Sequence, residues 1–410
     1  MADVTAPAAN HHSMNITLTN NSDKPALDSC NSDSMLPGSR VVHITTVHNP
    51  LDVRIFHKEC LSLVEAGCNV SLICCHDRDE IVDGVQLRAV PKPSGRLRRL
   101  TVTQWYAFSA ALRERAEIYH LHDPELMPLG IALKLLGKRV VLDVHEDYRQ
   151  KIWEKLYLSY PLRLILSWIV GRIEDICGLM FNGIVTVTPH IVRYFPKRKT
   201  VLVRNYPEYG EFELQDLPPY SDRPNNIAYV GSITANRGVW RMLKAVHKLN
   251  EEKNLNAKLV LAGLMGTPEL EAELRASPEW ASVDFRGFLT RQGIGEVLAN
   301  SRVGILVLDA TPCYVNAYPM KLFEYMAAAL PVVASDFPVW REIVDGAQCG
   351  ISINPMDVEG IAQTVKHLLE NPREAEQMGR RGKEAAHKLY FWEREAETLV
   401  SFYRRILKLQ

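Results

Sequence analysis

Short apolar runs, each followed by a polar loop and then a helical stretch, recur along this chain in two successive series. The first opens with Arg40-Val41-Val42-His43-Ile44 and continues with strand-like runs at 69–75, 85–90, 118–121, 140–144, 184–187 and 201–203. Helical stretches at 56–66, 104–115, 126–136 and 162–177 separate most of them. Apolar runs this short, without strict alternation, read as parallel strands covered on both faces by their crossover helices. Residues 206–226 are rich in Pro, Tyr and acidic side chains and read as a linker. The second series places strands at 227–230, 259–262, 283–285, 304–308, 332–334 and 350–353. Its helices are expected at 238–250, 268–276, 320–329, 358–369 and 373–388, with a last amphipathic helix at 392–407. The expected fold class is α/β, with two doubly wound domains in tandem, and the cleft between them is the default ligand site. The divisions expected are a tail at 1–39, a first domain at 40–205, the linker, a second domain at 227–390 and a terminal helix at 391–410.

Composition narrows the function classes. Lys plus Arg and Asp plus Glu both number 48, so no global charge draws the chain to nucleic acid or to an anionic membrane. The first 39 residues lack an apolar core of signal-peptide length and are expected to be disordered. Asn15-Ile16-Thr17 is then a chance glycosylation match. Eight cysteines form no C-x-x-C pair and sit mostly in apolar runs, as expected of buried thiols in a reducing compartment. The expected location is therefore cytoplasmic. No apolar run reaches transmembrane length.

The most informative stretch is 316–342, N-A-Y-P-M-K-L-F-E-Y-M-A-A-A-L-P-V-V-A-S-D-F-P-V-W-R-E. It reads as a loop ending at Pro319, a helix, a short buried strand and a second loop. A helix start offers N–H groups and a positive dipole end to a phosphate. Lys321 supplies a cation there, and Glu324 a carboxylate suited to ribose hydroxyls. The plainer reading is a helix with a solvated Lys and Glu. A second phosphate-cradling element is Gly231-Ser232-Ile233-Thr234-Ala235-Asn236-Arg237-Gly238, which follows the first strand of the second domain. Its glycines permit a tight turn, and Arg237 adds a cation. An ordinary strand–helix turn is the alternative.

Three polar clusters follow strands of the first domain: His48, Asp52 and Arg54; His120, His122, Asp123 and Glu125; His145, Glu146 and Asp147. All are expected at the carboxyl edge of one sheet, facing one crevice. His43 and His120 read as core histidines. No metal is expected, because the histidines and acids of each cluster are adjacent in sequence rather than spaced as ligands. Asp77-Arg78-Asp79 lacks supporting context. The phosphate loop G-x-x-x-x-G-K-[ST] and G-x-S-x-G are absent, and so is G-x-G-x-x-G, whose absence argues against a dehydrogenase. Residues 151–172 mix Trp153, Tyr157, Tyr160 and Trp168 with Lys151, Lys155, Arg163 and Arg172. They suit either a peripheral membrane contact or a core helix with basic edges.

Together, the tandem domains, the glycine loop with its basic residue and K-L-F-E-Y-M-A-x-x-x-P-V-V-A-S resemble a GT-B glycosyltransferase of family 4, over about residues 40–408. H-L-H-D-P and D-V-H-E-D add to the match. The resemblance implies two Rossmann-like domains, the acceptor on the first and a nucleoside-diphosphate sugar on the second, with the last helix crossing back to the first domain. It implies retention of anomeric configuration and no cofactor. Glu324 then matches the acid that holds ribose. Asn316 stands where the family's other acid contacts the donor sugar. Arg237 matches the residue that neutralises the diphosphate, and its usual arginine partner falls at Ser232. Lys321 is expected to supply the missing charge. His145 matches the histidine near the reacting carbon, so His145, Arg237 and Lys321 are the expected catalytic residues. Gly231, Ser232, Asn316, Ala317, Tyr318, Pro319 and Glu324 complete the donor site. His48, Asp52, His122, Asp123 and Glu146 are acceptor-side residues. Expected partners are a sugar nucleotide of uridine or guanosine, with uridine ahead, and a glycan or lipid-linked acceptor, in polysaccharide or lipid-linked glycan assembly at the inner membrane face. No nucleic acid is expected. A sugar-nucleotide epimerase of the same architecture is the alternative.

Overall fold

The computed structural model describes residues 35–408 other than 156, 213–217 and 254. The tail, apart from its last few residues, and the Asn15 motif lie outside them.

The apolar runs pair into two sheets. The first contains β1 (Arg40–Ile44), β2 (Asn69–Cys75), β3 (Glu80–Val82), β4 (Val85–Val90), β5 (Ile118–Leu121), β6 (Arg139–Val144), β7 (Gly183–Thr186) and β8 (Thr200–Leu202). Their order is β3-β4-β2-β1-β5-β6-β7-β8, parallel except for the β3–β4 edge. The second contains β9 (Asn226–Val230), β10 (Lys258–Ala262), β11 (Val283–Gly287), β12 (Val303–Leu306), β13 (Val332–Ser335) and β14 (Gly350–Ile353). Its order is β11-β10-β9-β12-β13-β14, parallel throughout. In each sheet the first strand lies between two later ones, so the winding reverses beside it. That reversal opens a crevice at the strands' carboxyl ends, where α/β folds bind ligands.

Both faces of each sheet are covered. On one face of the first, Val41, Val70, Ile118, Val141 and Val185 pack with Trp392, Leu399, Phe402, Tyr403 and Leu407 of the last helix, Trp392–Leu407. The chain thus ends on the domain where it began. Burying each of these large side chains contributes roughly 2–3 kcal/mol. Close contact is possible because β7 carries Gly183, where a Cβ would stand 2.4 Å from Phe402 Cζ. Trp392 Nε1 donates to Ser62 Oγ at 2.9 Å.

Four local expectations are corrected. The helix expected at 56–66 begins earlier, as a π-helical segment Val53–Cys60 capped by Asp52, whose carboxylate accepts from the N–H groups of Arg54 and Ile55. Edge strand β3 is too short to leave a sequence signal. Helix Arg291–Ala299 carries Gly293 and Gly295, which lower its intrinsic propensity, but Thr290 caps it. The second loop of 316–342 gives way to helix Pro338–Ala347. Pro338 is its first residue, a position helices tolerate, and Trp340, Ile343 and Val344 form its buried stripe.

Candidate functional site

In the second domain β9 ends at Val230 and the chain turns at Gly231, with φ 111°. A side chain there would meet Lys321, since a Cβ would lie 2.6 Å from its Cε and 2.7 Å from its Nζ. Glycine is therefore what lets Lys321 lie along the turn. The ammonium also faces the Tyr229 ring, 5.6 Å from its centroid. Arg237 ends the short turn Ala235–Arg237, and Gly238 follows with φ 77°, close against the Val307 carbonyl. Arg237 donates to the Tyr314 hydroxyl at 3.4 Å and to the Ser232 carbonyl at 3.5 Å, both neutral partners. Burial, and then repulsion from Arg237, push the Lys321 ammonium down to about 8. Two cations thus bracket one glycine turn without a carboxylate between them, which favours an anion.

Around this turn lies a layer that sequence reading missed. Gly263 packs on the Gly231 carbonyl, too close for a Cβ, and the Gly266 N–H donates to the Ile233 carbonyl at 2.8 Å. Beside them opens a cavity of about 290 Å³, lined by Gly263, Met265, Gly266, Thr267, Phe285 and Phe288. The run Ala262-Gly263-Leu264-Met265-Gly266 after β10 was the available signal.

Glu324 lies one turn into helix Met320–Ala327 and is 2% exposed. Its Oε1 accepts from Arg291 Nη1 at 2.6 Å, and Arg291 also pairs with Glu211. It is therefore a held carboxylate rather than a solvated one. Asn316 is half-buried after the Thr311-capped turn Pro312–Val315. The Ala317 carbonyl accepts from Trp340 Nε1 at 2.9 Å, and its N–H donates to Tyr314, so this residue is tied inside the protein. Tyr318 stacks parallel to Phe323 and lies under Arg204. Pro319 caps the helix and has no N–H to offer a ligand.

In the first domain Asp143, at the end of β6, is bound by Arg54 through two bonds of 2.9 Å. Burial opposes its ionisation, but Arg54 and the neighbouring histidines outweigh that and hold the carboxyl well below the usual range. His145 Nδ1 stands 3.3 Å from Asp143 Oδ2. The His145 ring meets His48 edge-on at 5.2 Å. His48 in turn lies 3.6 Å from Asp52 and 3.4 Å from Asp123. Its hydrogen bond to Asp52 raises its pKa despite burial. For Asp52, burial opposes ionisation, yet His48 and the two capped N–H groups lower the carboxyl to about 2. Asp123 accepts from Thr45 Oγ1 at 3.0 Å and Thr46 N at 2.5 Å. Glu146 is ion-paired with Lys151 at the surface. His48, Asp52, Asp123 and His145 are thus brought together.

His122 is not among them. It is 0% exposed, with its nitrogens on His43 and Asp143, and it cannot face an acceptor. Neither sequence-adjacent cluster of His and acid converges as a metal site. The group that does converge among the described residues is His43, Glu59, His120 and His122, all buried. Burial pushes the Glu59 carboxyl well above its usual range despite Arg54, and lowers all three histidines.

Two family models match the chain, one to each domain: Glycosyltransferase Family 4 over residues 53–205 and Glycosyl transferases group 1 over residues 214–385. The chain is a family 4 glycosyltransferase. Its relatives include the glycogen synthase of Mycobacterium tuberculosis, 23% identical over 70% of this chain and 69% of that protein. Alpha-maltose-1-phosphate synthase of Mycolicibacterium smegmatis is 25% identical over 72% and 80%. Among solved structures, sucrose-phosphate synthase of Thermosynechococcus elongatus superposes with TM-score 0.69 at 16% identity, over 91% of this chain and all of that one. An E. coli trehalose-6-phosphate protein bound with UDP-2-fluoro glucose superposes with TM-score 0.65 at 12% identity, over 91% and 100%. The fold of this glycosyltransferase is accordingly GT-B. These relatives give the epimerase alternative no support.

Proposed function

We propose that this glycosyltransferase moves a sugar from a nucleoside-diphosphate sugar to a hydroxyl acceptor with retention at the anomeric carbon. The observation that carries the reading is the Gly231 turn bracketed by Arg237 and Lys321, at the point where the second sheet reverses its winding. The diphosphate lies along that turn. The cavity beside Gly263 and Phe288 takes the nucleoside, with uridine the expected base, as UDP-2-fluoro glucose in the E. coli relative suggests. Glu324, fixed by Arg291, holds ribose hydroxyls, and Asn316 hydrogen-bonds the sugar.

Negative charge grows on the diphosphate as the glycosidic bond breaks. Arg237 and Lys321 are placed to stabilise it, the task a divalent cation performs in metal-dependent transferases. The sugar becomes oxocarbenium-like below His145, which Asp143 orients. The acceptor hydroxyl attacks from the leaving-group face and loses its proton to a phosphate oxygen. Turnover is therefore independent of added magnesium.

The acceptor is proposed to be a glycan or lipid-linked glycan at the cytoplasmic membrane face. Supporting this, helix Tyr160–Met180 turns Leu164, Ile165, Trp168 and Leu179 outward, each at least half exposed. No helix among the described residues is long and apolar enough to cross a membrane.

The test is proton NMR of purified protein mixed with a sugar nucleotide and no acceptor. Slow hydrolysis whose first-formed free sugar keeps the donor's anomeric configuration is expected. First release of the opposite anomer would refute retention, and epimerised donor would refute transfer as the activity.

A further inference from the structure

His43, Glu59, His120 and His122 meet inside the first domain because of strand register. β1 and β5 pair in parallel with His43 opposite His120, and His122 lies two residues further on the same face. Glu59 comes from the π-helical segment packed over them. All four side chains are 0% exposed. Glu59 Oε2 stands 3.9 Å from His43 Nδ1, 3.5 Å from His120 Nδ1 and 4.0 Å from His122 Nε2, and the last lies 2.8 Å from His43 Nδ1. Ligand atoms around a tetrahedral ion with bonds of about 2.0–2.2 Å stand about 3.3–3.6 Å apart.

We propose that these four side chains bind one zinc ion as a structural centre of the first domain, separate from the sugar-transfer site. Three imidazoles and a carboxylate are the donor set of a borderline divalent ion, and zinc accepts it without a redox partner. The surroundings fit. Asp143, anchored by Arg54, lies 3.2 Å from His122 Nδ1, so it fixes the tautomer with an unprotonated Nε2, whose present partner is His43 Nδ1. Tyr403 reaches in from the last helix, its hydroxyl 2.8 Å from His120 Nδ1, a hydrogen bond that ligation through Nδ1 replaces. Hydrogen bonding within the protein leaves both Glu59 oxygens buried without a hydrogen-bond partner, although Arg54 lies 3.1 Å from Glu59 Oε1. A buried carboxylate with neither oxygen hydrogen-bonded is a group that native cores usually satisfy. A bound cation turns the buried carboxylate into a ligand. The ion ties β1, β5 and the 53–60 segment together beneath His145, and its role is positional.

Metal analysis of the full chain, purified without chelators from zinc-supplemented cells, tests this. The expected content is about one zinc per chain, falling below about a tenth in His120→Gln and Glu59→Gln. His120 is inaccessible from outside, so its variant reports this site and no surface histidine. Cobalt-grown wild type should show the intense visible bands of a tetrahedral nitrogen–oxygen site without a thiolate charge-transfer band, a readout that stands even where the variants fail to fold. Wild-type protein with less than about a tenth of an ion per chain, only weak octahedral cobalt bands, or variants that keep the full content would each overturn the proposal.

Discussion

Lys321 and Arg237 lie far apart in sequence and act on one turn because Gly231 has no side chain. Lys321→Ala and Arg237→Ala are each expected to lower kcat by about a hundredfold or more while thermal unfolding stays near that of wild type. Near wild-type turnover in both would sink the electrostatic account. Lys321 also predicts a pH dependence. Its pKa is lowered to about 8, and the diphosphate binds the protonated form, so donor affinity is full below about 8 and declines as pH rises through it. Lys321→Arg should remove that decline in a binding titration from pH 6.5 to 9.5, a range chosen to span the lowered and ordinary lysine values. This half of the site was legible because its parts are local: a glycine turn after a strand, and a cation in the first turn of a helix. The buried histidine cluster was not. His43 meets His120 through strand pairing with residues 118–121, and Glu59 reaches them from the 53–60 segment packed over the strands, neither of which a local pattern encodes. The same holds for Arg291, whose grip on Glu324 lies 33 positions away. His122 was misplaced because a histidine at a strand end can point into the crevice or into the core, and only the register decides.

Among the described elements that join the two domains are the last helix and the segment around Lys58. Strand runs were read almost to the residue, because parallel strands are continuous apolar blocks. Helix Arg291–Ala299, interrupted by two glycines, and helix Pro338–Ala347, whose opening proline was taken as part of a loop, were not, although the proline-opened Pro268–Ala276 was. Gly183→Ala should push Phe402 away from β7 and destabilise the protein by about 1–3 kcal/mol through overpacking, measured by chemical denaturation. An unchanged stability would mean that the helix is not seated as described. Lys58 is buried and donates to Asn205 Oδ1 at 2.7 Å and to the Tyr206 carbonyl at 2.5 Å, with Met320 Sδ 3.9 Å away. One side chain of the first domain thus meets both the linker and the start of the donor-site helix. Lys58→Met leaves the Tyr206 carbonyl unpaired and should cost about 1–3 kcal/mol. Donor affinity should weaken with it, because the helix carrying Lys321 loses its tie to the first domain.

At the scale of the molecule, a chain of zero formal net charge carries a strand-order reversal in each of its two sheets and turns apolar helix side chains to solvent, among them Leu164, Ile165 and Trp168. The proposed membrane contact rests on the 164–179 face. Wild-type protein should co-float with anionic vesicles, and Ile165→Ser with Trp168→Ser should lose most of that binding while hydrolysing donor at the wild-type rate. Binding that survives the double change would place the contact elsewhere. The architecture was readable from the alternation of runs alone, whereas the choice of acceptor rests on surface features that packing does not dictate. The central claim, that the second domain is a nucleoside-diphosphate sugar site built on Arg237 and Lys321, is tested most directly by thermal unfolding in the presence of individual sugar nucleotides. One donor, expected to be a uridine sugar, should raise the Tm of wild type by several degrees through mass action and leave Arg237→Ala with Lys321→Ala unmoved. A wild type that responds to no sugar nucleotide, or a double variant stabilised as strongly as wild type, would contradict it.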